Sequence, residues 1–408
     1  MLFKPVVKRL FACRRTTMKY FVFFFLGFTA VHCNDKNLLE DFSDGNNRFS
    51  SDVYKEIKAI EDGNFVFCSL SAEIILGLTR FGARGTTGAQ LSKGLHLPDD
   101  ANKIERIFKA LTPKLKNDEG YILNSANRIY LQDGYKIRED FKNTAQNSFL
   151  VDVKNIDLKK KEDSSGEINL WVLNQTHGKI KNLIDPKMLS EDSRSVLVNA
   201  LYFKGAWNTK HSERVTKLKP FYLNNNTHVD VDMVEVTDFF MYYSNDELKA
   251  NFLEIPYASN EYSMVLVLPH EKEGLAELEN KLGDVLSAAR GQPAIVHVQV
   301  PKFKIESKVK LTNILKNLGV KDAFEDYADL SGFTEPGQQP LKIGDVIQKV
   351  IIEFDEEGTT SAASAIMHAA VSYAMEVSVI QEFNADHPFI YYIKGPNGVM
   401  LIGRYVQK

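Results

Sequence analysis

The chain has 408 residues, with 50 Lys plus Arg against 53 Asp plus Glu and a formal net charge of −3. Its 44% apolar and 25% charged residues are ordinary globular composition, which excludes a disordered, collagenous or coiled-coil chain. Three cysteines exclude a disulfide-dense scaffold and a cysteine-built zinc site, and the near-neutral balance gives no long-range field for nucleic acid.

The first 33 residues read as a targeting segment. Lys4, Lys8, Arg9, Arg14, Arg15 and Lys19 all precede the first acidic residue, Asp35. Tyr20–Val31 (YFVFFFLGFTAV) is uncharged and largely apolar. It is too short for a membrane span, which needs about 20 such residues, and it fits the hydrophobic region of a secretory signal. Val31 and Cys33 put small side chains at the −3 and −1 positions, so cleavage is expected near Cys33–Asn34. Translation from Met18 would give a tidier signal. A mitochondrial presequence is the rival reading, but the unbroken FVFFFL run is too apolar for an amphipathic transit helix. Removing residues 1–33 takes away six positive charges and no negative ones. That leaves 44 basic against 53 acidic residues, net −9, in a domain of residues 34–408 whose one cysteine is Cys68. Two sequons survive, at Asn174-Gln-Thr176 and Asn225-Asn-Thr227, and both are candidates for glycosylation in the secretory path.

Further along, Phe49, Val53, Ile57 and Ile60 recur at helical spacing, as do Ile104, Ile107, Phe108, Leu111 and Leu115 after Asp99-Asp100. Glu167–His177 and Leu275–Leu286 also read as helices. Ser195–Phe203, Tyr262–Leu268 and Ala294–Val300 read as strands, the first so continuously apolar that it must be buried on both faces. Helices dominate early and strands later, without βα alternation, repeat or linker. This predicts a single domain of the α+β class.

Catalytic machinery is not found: the sequence holds no G-x-S-x-G, H-E-x-x-H, P-loop, dinucleotide fingerprint or calcium loop. No metal or cofactor is implied. Cys68 lies within an apolar run, as a buried structural thiol would. Lys103, Arg106, Lys109, Lys114 and Lys116 form a basic stripe suited to weak polyanion contact, diluted by Glu105, Asp99 and Asp100.

The most unusual stretch lies near the carboxyl end. Between Val350 and Ile393 there is no Lys or Arg, and Gly358–Met375 (GTTSAASAIMHAAVSYAM) has no charged side chain when His is neutral. It follows the acidic Asp355-Glu356-Glu357. As a helix it lacks an apolar face. As a strand it places small Thr359, Ser361, Ala363 and Ala365 on one face, able to enter a crowded interior. Gly358 supplies a pivot. A small-residue linker is the plain alternative.

Seven blocks in order make the chain resemble the serpin family of protease inhibitors, in particular its secreted arthropod members. They are Asn64–Ser71 with Gly82–Thr87, Val198–Trp207, Val300–Phe303, Ala328–Ser331, Glu356–Thr359, Asp386–Phe389 and Gly403-Arg404. The resemblance implies three β-sheets, eight or nine helices and an exposed reactive loop at about residues 358–382. It implies no enzyme activity, cofactor, nucleic acid or membrane, and a monomer whose partner is a target protease. In such inhibitors the protease attacks the loop and forms an acyl-enzyme. The loop then inserts as a new strand and distorts the protease before deacylation. Glu356, Glu357, Gly358, Thr359, Ser361, Ala363 and Ala365 match the hinge of that loop. Thr360 and Ser361 stand where Glu and Ala are usual, and both are small enough to enter a sheet.

By the same resemblance, Cys68, Ser71, Asn199, Gln348 and Trp207 belong to the cluster that governs sheet opening. Cys68 and Gln348 replace the usual Ser and His, and Ser69 the usual Pro. Counting from the hinge glycine puts the scissile bond at Ser372–Tyr373, with Ala370, Val371, Ala374 and Met375 as specificity neighbours. A shifted register would cut at Tyr373–Ala374, or less favourably at Met375–Glu376. Without a nearby Lys or Arg, a trypsin-like pocket has no partner for its buried carboxylate. Ser372 suits elastase- or subtilisin-like enzymes, Val371 also papain-like cysteine proteases, and Tyr373 chymotrypsin-like enzymes. A non-inhibitory member acting as carrier, chaperone or storage protein is the alternative.

Overall fold

The computed structural model describes residues 18–115, 117, 120–189, 192–207, 214–259, 261–289, 291–356 and 379–407, with side chains from residue 37 onward except that of Lys114. Its helices are α1 (Met18–Lys58), α2 (Ser69–Gly82), α3 (Gly85–Gly94), α4 (Ala101–Leu111), α5 (Glu139–Ser148), α6 (Lys161–Gln175), α7 (Leu275–Asn280), α8 (Leu282–Leu286) and α9 (Leu311–Asn317). The strands are β1 (Phe65–Phe67), β2 (Tyr121–Gln132), β3 (Asp152–Ile156), β4 (Ser195–Gly205), β5 (Val215–Tyr222), β6 (His228–Asn245) and β7 (Ala250–Pro256). They continue as β8 (Ser263–Pro269), β9 (Gln292–Pro301), β10 (Phe303–Lys310), β11 (Asp345–Phe354), β12 (Gln381–Asn384), β13 (Phe389–Gly395) and β14 (Gly398–Tyr405). The described chain divides at Asp41/Phe42, and the larger unit carries all of the strands.

Sequence pattern explains most of these elements. Asp100 caps α4 by accepting from the Asn102 amide (2.9 Å), and Ile104, Ile107, Phe108 and Leu111 form its buried stripe. In contrast α2 is apolar nearly all round and is buried nearly all round, as a helix enclosed by other elements must be. Gly77 admits the Phe108 ring there, since a Cβ would stand 2.3 Å from it. Leu275–Leu286, expected as one helix, breaks at Lys281 into α7 and α8. Ile60 lies beyond the end of α1 and is 75% exposed, outside the apolar stripe that Phe49, Val53 and Ile57 do form.

Five strands form one sheet in the order β10-β11-β4-β2-β3. The others follow the order β1-β14-β13-β8-β7-β6-β9-β12, with β5 also on β6. β6 joins two sheets into this larger one, because its first part pairs β5 and its last residues, Met241–Asn245, pair β7. The α+β architecture is therefore present, and the expected second and third sheets run together through β6, so that the described strands form two hydrogen-bonded sheets. The main core lies between the five-stranded sheet and the larger one, with Leu201, Phe203, Val350 and Ile352 facing Leu253, Leu266 and Tyr391. A second core, including Tyr130, Val198 and Ile347, packs the other face beneath Ile168 and Val172 of α6. Among the described residues no helix is long and apolar enough to cross a membrane.

Candidate functional site at a parallel strand seam

β4 and β11 lie side by side and parallel, in register from Asp345↔Val196 to Glu353↔Lys204. Each has an antiparallel neighbour on its other side, β2 and β10 respectively. Both strands are buried along almost their whole length, as the apolar run in β4 predicted. One fully buried register pair on this seam is polar on both strands: Gln348 opposite Asn199, each at most 1% exposed.

These two amides organise a buried hydrogen-bond cluster. The Gln348 Nε2 donates to Asn199 Oδ1 (2.6 Å) and to the Cys68 carbonyl (2.8 Å), while its Oε1 accepts from the Cys68 amide (2.9 Å). Asn199 Nδ2 donates to the Ser71 carbonyl (3.3 Å), the Ser71 hydroxyl and Asn127 Oδ1. The Ser71 hydroxyl donates to the same Asn127 oxygen (3.3 Å). Every contact is neutral, so the bridge couples the start of α2 to both seam strands without a buried charge to desolvate. Burial pushes the Cys68 thiol up to about 12, which keeps it protonated and unreactive.

Cys68, Ser71, Asn199 and Gln348 thus come together as expected, with Gln348 filling its position by three hydrogen bonds. Trp207 does not join them. It lies eight residues beyond Asn199, about 26 Å along an extended chain, where it bridges Tyr257 and packs against Phe354 (ring centroids 4.5 Å). Asn127 was not foreseen. Its place on β2 opposite Asn199 is a register relation between segments far apart in sequence.

At the far end of β11 the acidic residues are held by cations. Glu353 pairs with Lys304 (2.7 Å), Asp355 with Lys204 (2.9 Å) and Glu356 with Lys302 (2.6 Å). The Arg214 guanidinium also donates to the Glu356 carbonyl (2.5 Å). The Lys302 hydrogen bond holds the Glu356 carboxyl below its usual range. Glu356 is the last described residue of the hinge. Glu357, Gly358, Thr359, Ser361, Ala363 and Ala365 lie outside the described residues, as do Ala370, Val371, Ser372, Tyr373, Ala374 and Met375. The described chain resumes at Val379 and enters β12 at Gln381, within the range expected for the loop.

On the opposite face of the seam, Lys349 donates to the Lys181 carbonyl (2.7 Å) and pairs with Glu306 (2.6 Å). The Lys179 ammonium lies 4.8 Å from the centre of the Tyr202 ring. The connection after α6 is thereby pinned to both seam strands. Elsewhere, Asn225 and Thr227 are exposed in the β5–β6 turn. Asn174 is exposed in the last turn of α6, whereas Thr176 is buried with its hydroxyl donating to the Val172 carbonyl (2.8 Å). Lys103, Arg106 and Lys109 are exposed on α4, where Glu105 accepts from Ser148 (2.9 Å). Among the described residues no group of His, Cys, Asp and Glu could hold a metal ion.

The family model for serpins, serine protease inhibitors, matches residues 44–408. Antichymotrypsin-2 of Bombyx mori is 33% identical over 90% of this chain and 97% of its own, and antitrypsin of the same species 32% over 91% and 95%. The crystal structure of Serpin48, described as a highly specific serpin of the insect Tenebrio molitor, superposes with a TM-score of 0.81 at 35% identity, covering 90% of this chain and 98% of that one. The chain belongs to the serpin family. Its relatives are protease inhibitors rather than catalytic enzymes, and that role is supported for this chain.

Proposed function

We propose that this protein is an exported suicide inhibitor of proteases, cut near Ser372–Tyr373 and closing by insertion of its own loop between β11 and β4. The observation that carries the reading is the seam. A chain that leaves β11 and turns back runs antiparallel to β11, and therefore also antiparallel to the parallel strand β4. Such a strand exchanges the bonds of one parallel pair for two antiparallel ladders. Thr359–Ser372 spans roughly 45 Å when extended. The β11–β4 register runs over nine residue pairs, about 30 Å, so the segment can cover the whole seam with residues to spare once the Gln348–Asn199 bridge parts. Small, uncharged residues at alternate positions let the inserted face enter without burying an unpaired charge, which would cost several kcal/mol.

Overall identity does not choose the target, since relatives named for chymotrypsin and for trypsin match almost equally well. The loop chooses it. With no Lys or Arg between Val350 and Ile393, the expected targets are elastase-, subtilisin- or chymotrypsin-like, or papain-like cysteine proteases. Export rests on the apolar run Tyr20–Val31. Cleavage near Cys33–Asn34 would leave the larger unit, from Phe42 onward, intact. Glycans are proposed at Asn225 and Asn174, both exposed.

The test is to incubate the mature protein with elastase, subtilisin, chymotrypsin, trypsin and papain. Denaturing gels and mass spectrometry then identify adducts and released peptide. A covalent adduct with a non-tryptic enzyme and a peptide starting at Tyr373 is expected. Cleavage by every enzyme without any adduct would instead mark a non-inhibitory carrier, chaperone or storage member.

A further inference from the structure

Glu73 is buried at 0% exposure, one turn beyond Ser69 on α2. Its Oε2 accepts from Asn46 Nδ2 (2.6 Å), and its Oε1 has no hydrogen-bond partner. Asn46 Oδ1 accepts from the Val399 amide (2.6 Å), and the Val399 carbonyl accepts from the Ser69 hydroxyl (3.0 Å). A ring of three hydrogen bonds therefore ties α1, the start of β14 and the first turn of α2. Cys68, adjacent to Ser69, holds Gln348 on the seam. Ser50, one turn along α1 from Asn46, has a buried hydroxyl that is likewise unpartnered.

Among the described residues, no cation acts on Glu73 from α3, α4, β2, β4 or β14, the elements packed on α2. α1 offers the neutral Asn46 and Ser50, and the residue that caps α2 offers the Cys68 thiol, which burial keeps neutral. Burial raises the Glu73 carboxyl well above its usual range, and the Asn46 bond offsets this only in part.

We propose that Glu73 is a pH-sensitive switch on the seam: a neutral carboxylic acid in the native fold, whose ionisation loosens the first turn of α2 and frees β11 from β4. On ionisation the proton passes to solvent and a carboxylate is left facing an apolar interior. The role of the opened seam rests on the inhibitor reading above, whereas the titration of Glu73 does not. Because the folded-state value lies above the unfolded one, stability is full below the ordinary glutamate range and is lost as pH rises through the raised one.

The test compares wild type with Glu73→Gln, which keeps the shape and the Asn46 contact. Across the titration window, the wild-type folding constant from urea unfolding is expected to fall about tenfold per pH unit relative to the variant. Hydrogen exchange at β11 amides should match below the ordinary glutamate range and be faster in the wild type above the raised one. Parallel pH profiles, or equal exchange at every pH, would overturn the switch. As a readout needing no variant stability, ¹³C NMR of labelled glutamate should show Glu73 still protonated at pH values where the exposed glutamates have ionised, and ionisation together with them overturns the proposal. A protein with these differences that traps no protease sinks the inhibitor reading and leaves the switch standing.

Discussion

Two of the buried polar clusters in this molecule are built from opposite materials. On the seam, Gln348, Asn199, Ser71 and Asn127 use neutral amides and a hydroxyl. Behind β14, the Glu279 carboxylate, 2% exposed, takes Arg404 (3.0 Å), Lys58 (2.8 Å) and the Tyr54 hydroxyl (2.8 Å). Arg404 also donates to the carbonyls of Gly63 (3.0 Å) and Glu61 (2.6 Å). Separating the first cluster exposes amides that water or an incoming backbone can satisfy. Separating the second strands a charge in low dielectric. The five-stranded sheet is thus held at its parallel seam by a releasable bridge, as the proposed strand insertion would need, whereas β14 of the larger sheet is held by an ionic lock.

Breaking the lock should have the largest effect. Arg404→Leu leaves Glu279 with one partly exposed cation, and a loss of about 3–5 kcal/mol is expected in urea unfolding. A loss under 1 kcal/mol would show that the two clusters are not different in kind. Next comes the bridge: Gln348→Leu strands the Cys68 amide and carbonyl and should cost about 1–3 kcal/mol. It should also shorten the half-life of inhibitory activity at 37 °C, and an unchanged half-life would separate bridge strength from sheet opening. The smallest effect is expected at the exposed end of β11, where Lys302→Ala removes the Glu356 pair for about 1 kcal/mol or less. The folded-state value of Glu356 is depressed. Its contribution is therefore present above the ordinary glutamate range and vanishes as pH falls through the depressed one, so the urea midpoints of variant and wild type should converge in acid.

Much of the frame was legible because burial on both faces writes itself as continuous apolar sequence, as in β4. The capped, striped α4 was equally plain. β2 was not, because Asn124, Ser125 and Asn127 interrupt its centre, and polar residues there look like a turn until Asn199 is set opposite them. Arg404 lay in a recognised block, but its partner Glu279 sits among other acids, in a helix with nothing local to mark it as buried. Glu73 was hidden for the same reason. Trp207 was grouped with Asn199 by resemblance alone, and an extended strand carries it eight residues away from the hydrogen-bonded cluster. In the loop, composition carried the signal: absent charge from Gly358 to Met375 singles out a segment that no hydrophobic period would have found.

The position of β13 and β14 has a consequence for biosynthesis. They occupy adjacent interior places in the larger sheet, between β1 and β8, yet they are translated after every other strand. Phe65 pairs with Arg404, so β1 leaves the ribosome long before its partner exists. At roughly 5–20 residues per second, that interval is on the order of tens of seconds. β1 lacks its partner throughout that interval and β8 from its own emergence onward, so each is an edge open to wrong pairing until the final two strands emerge.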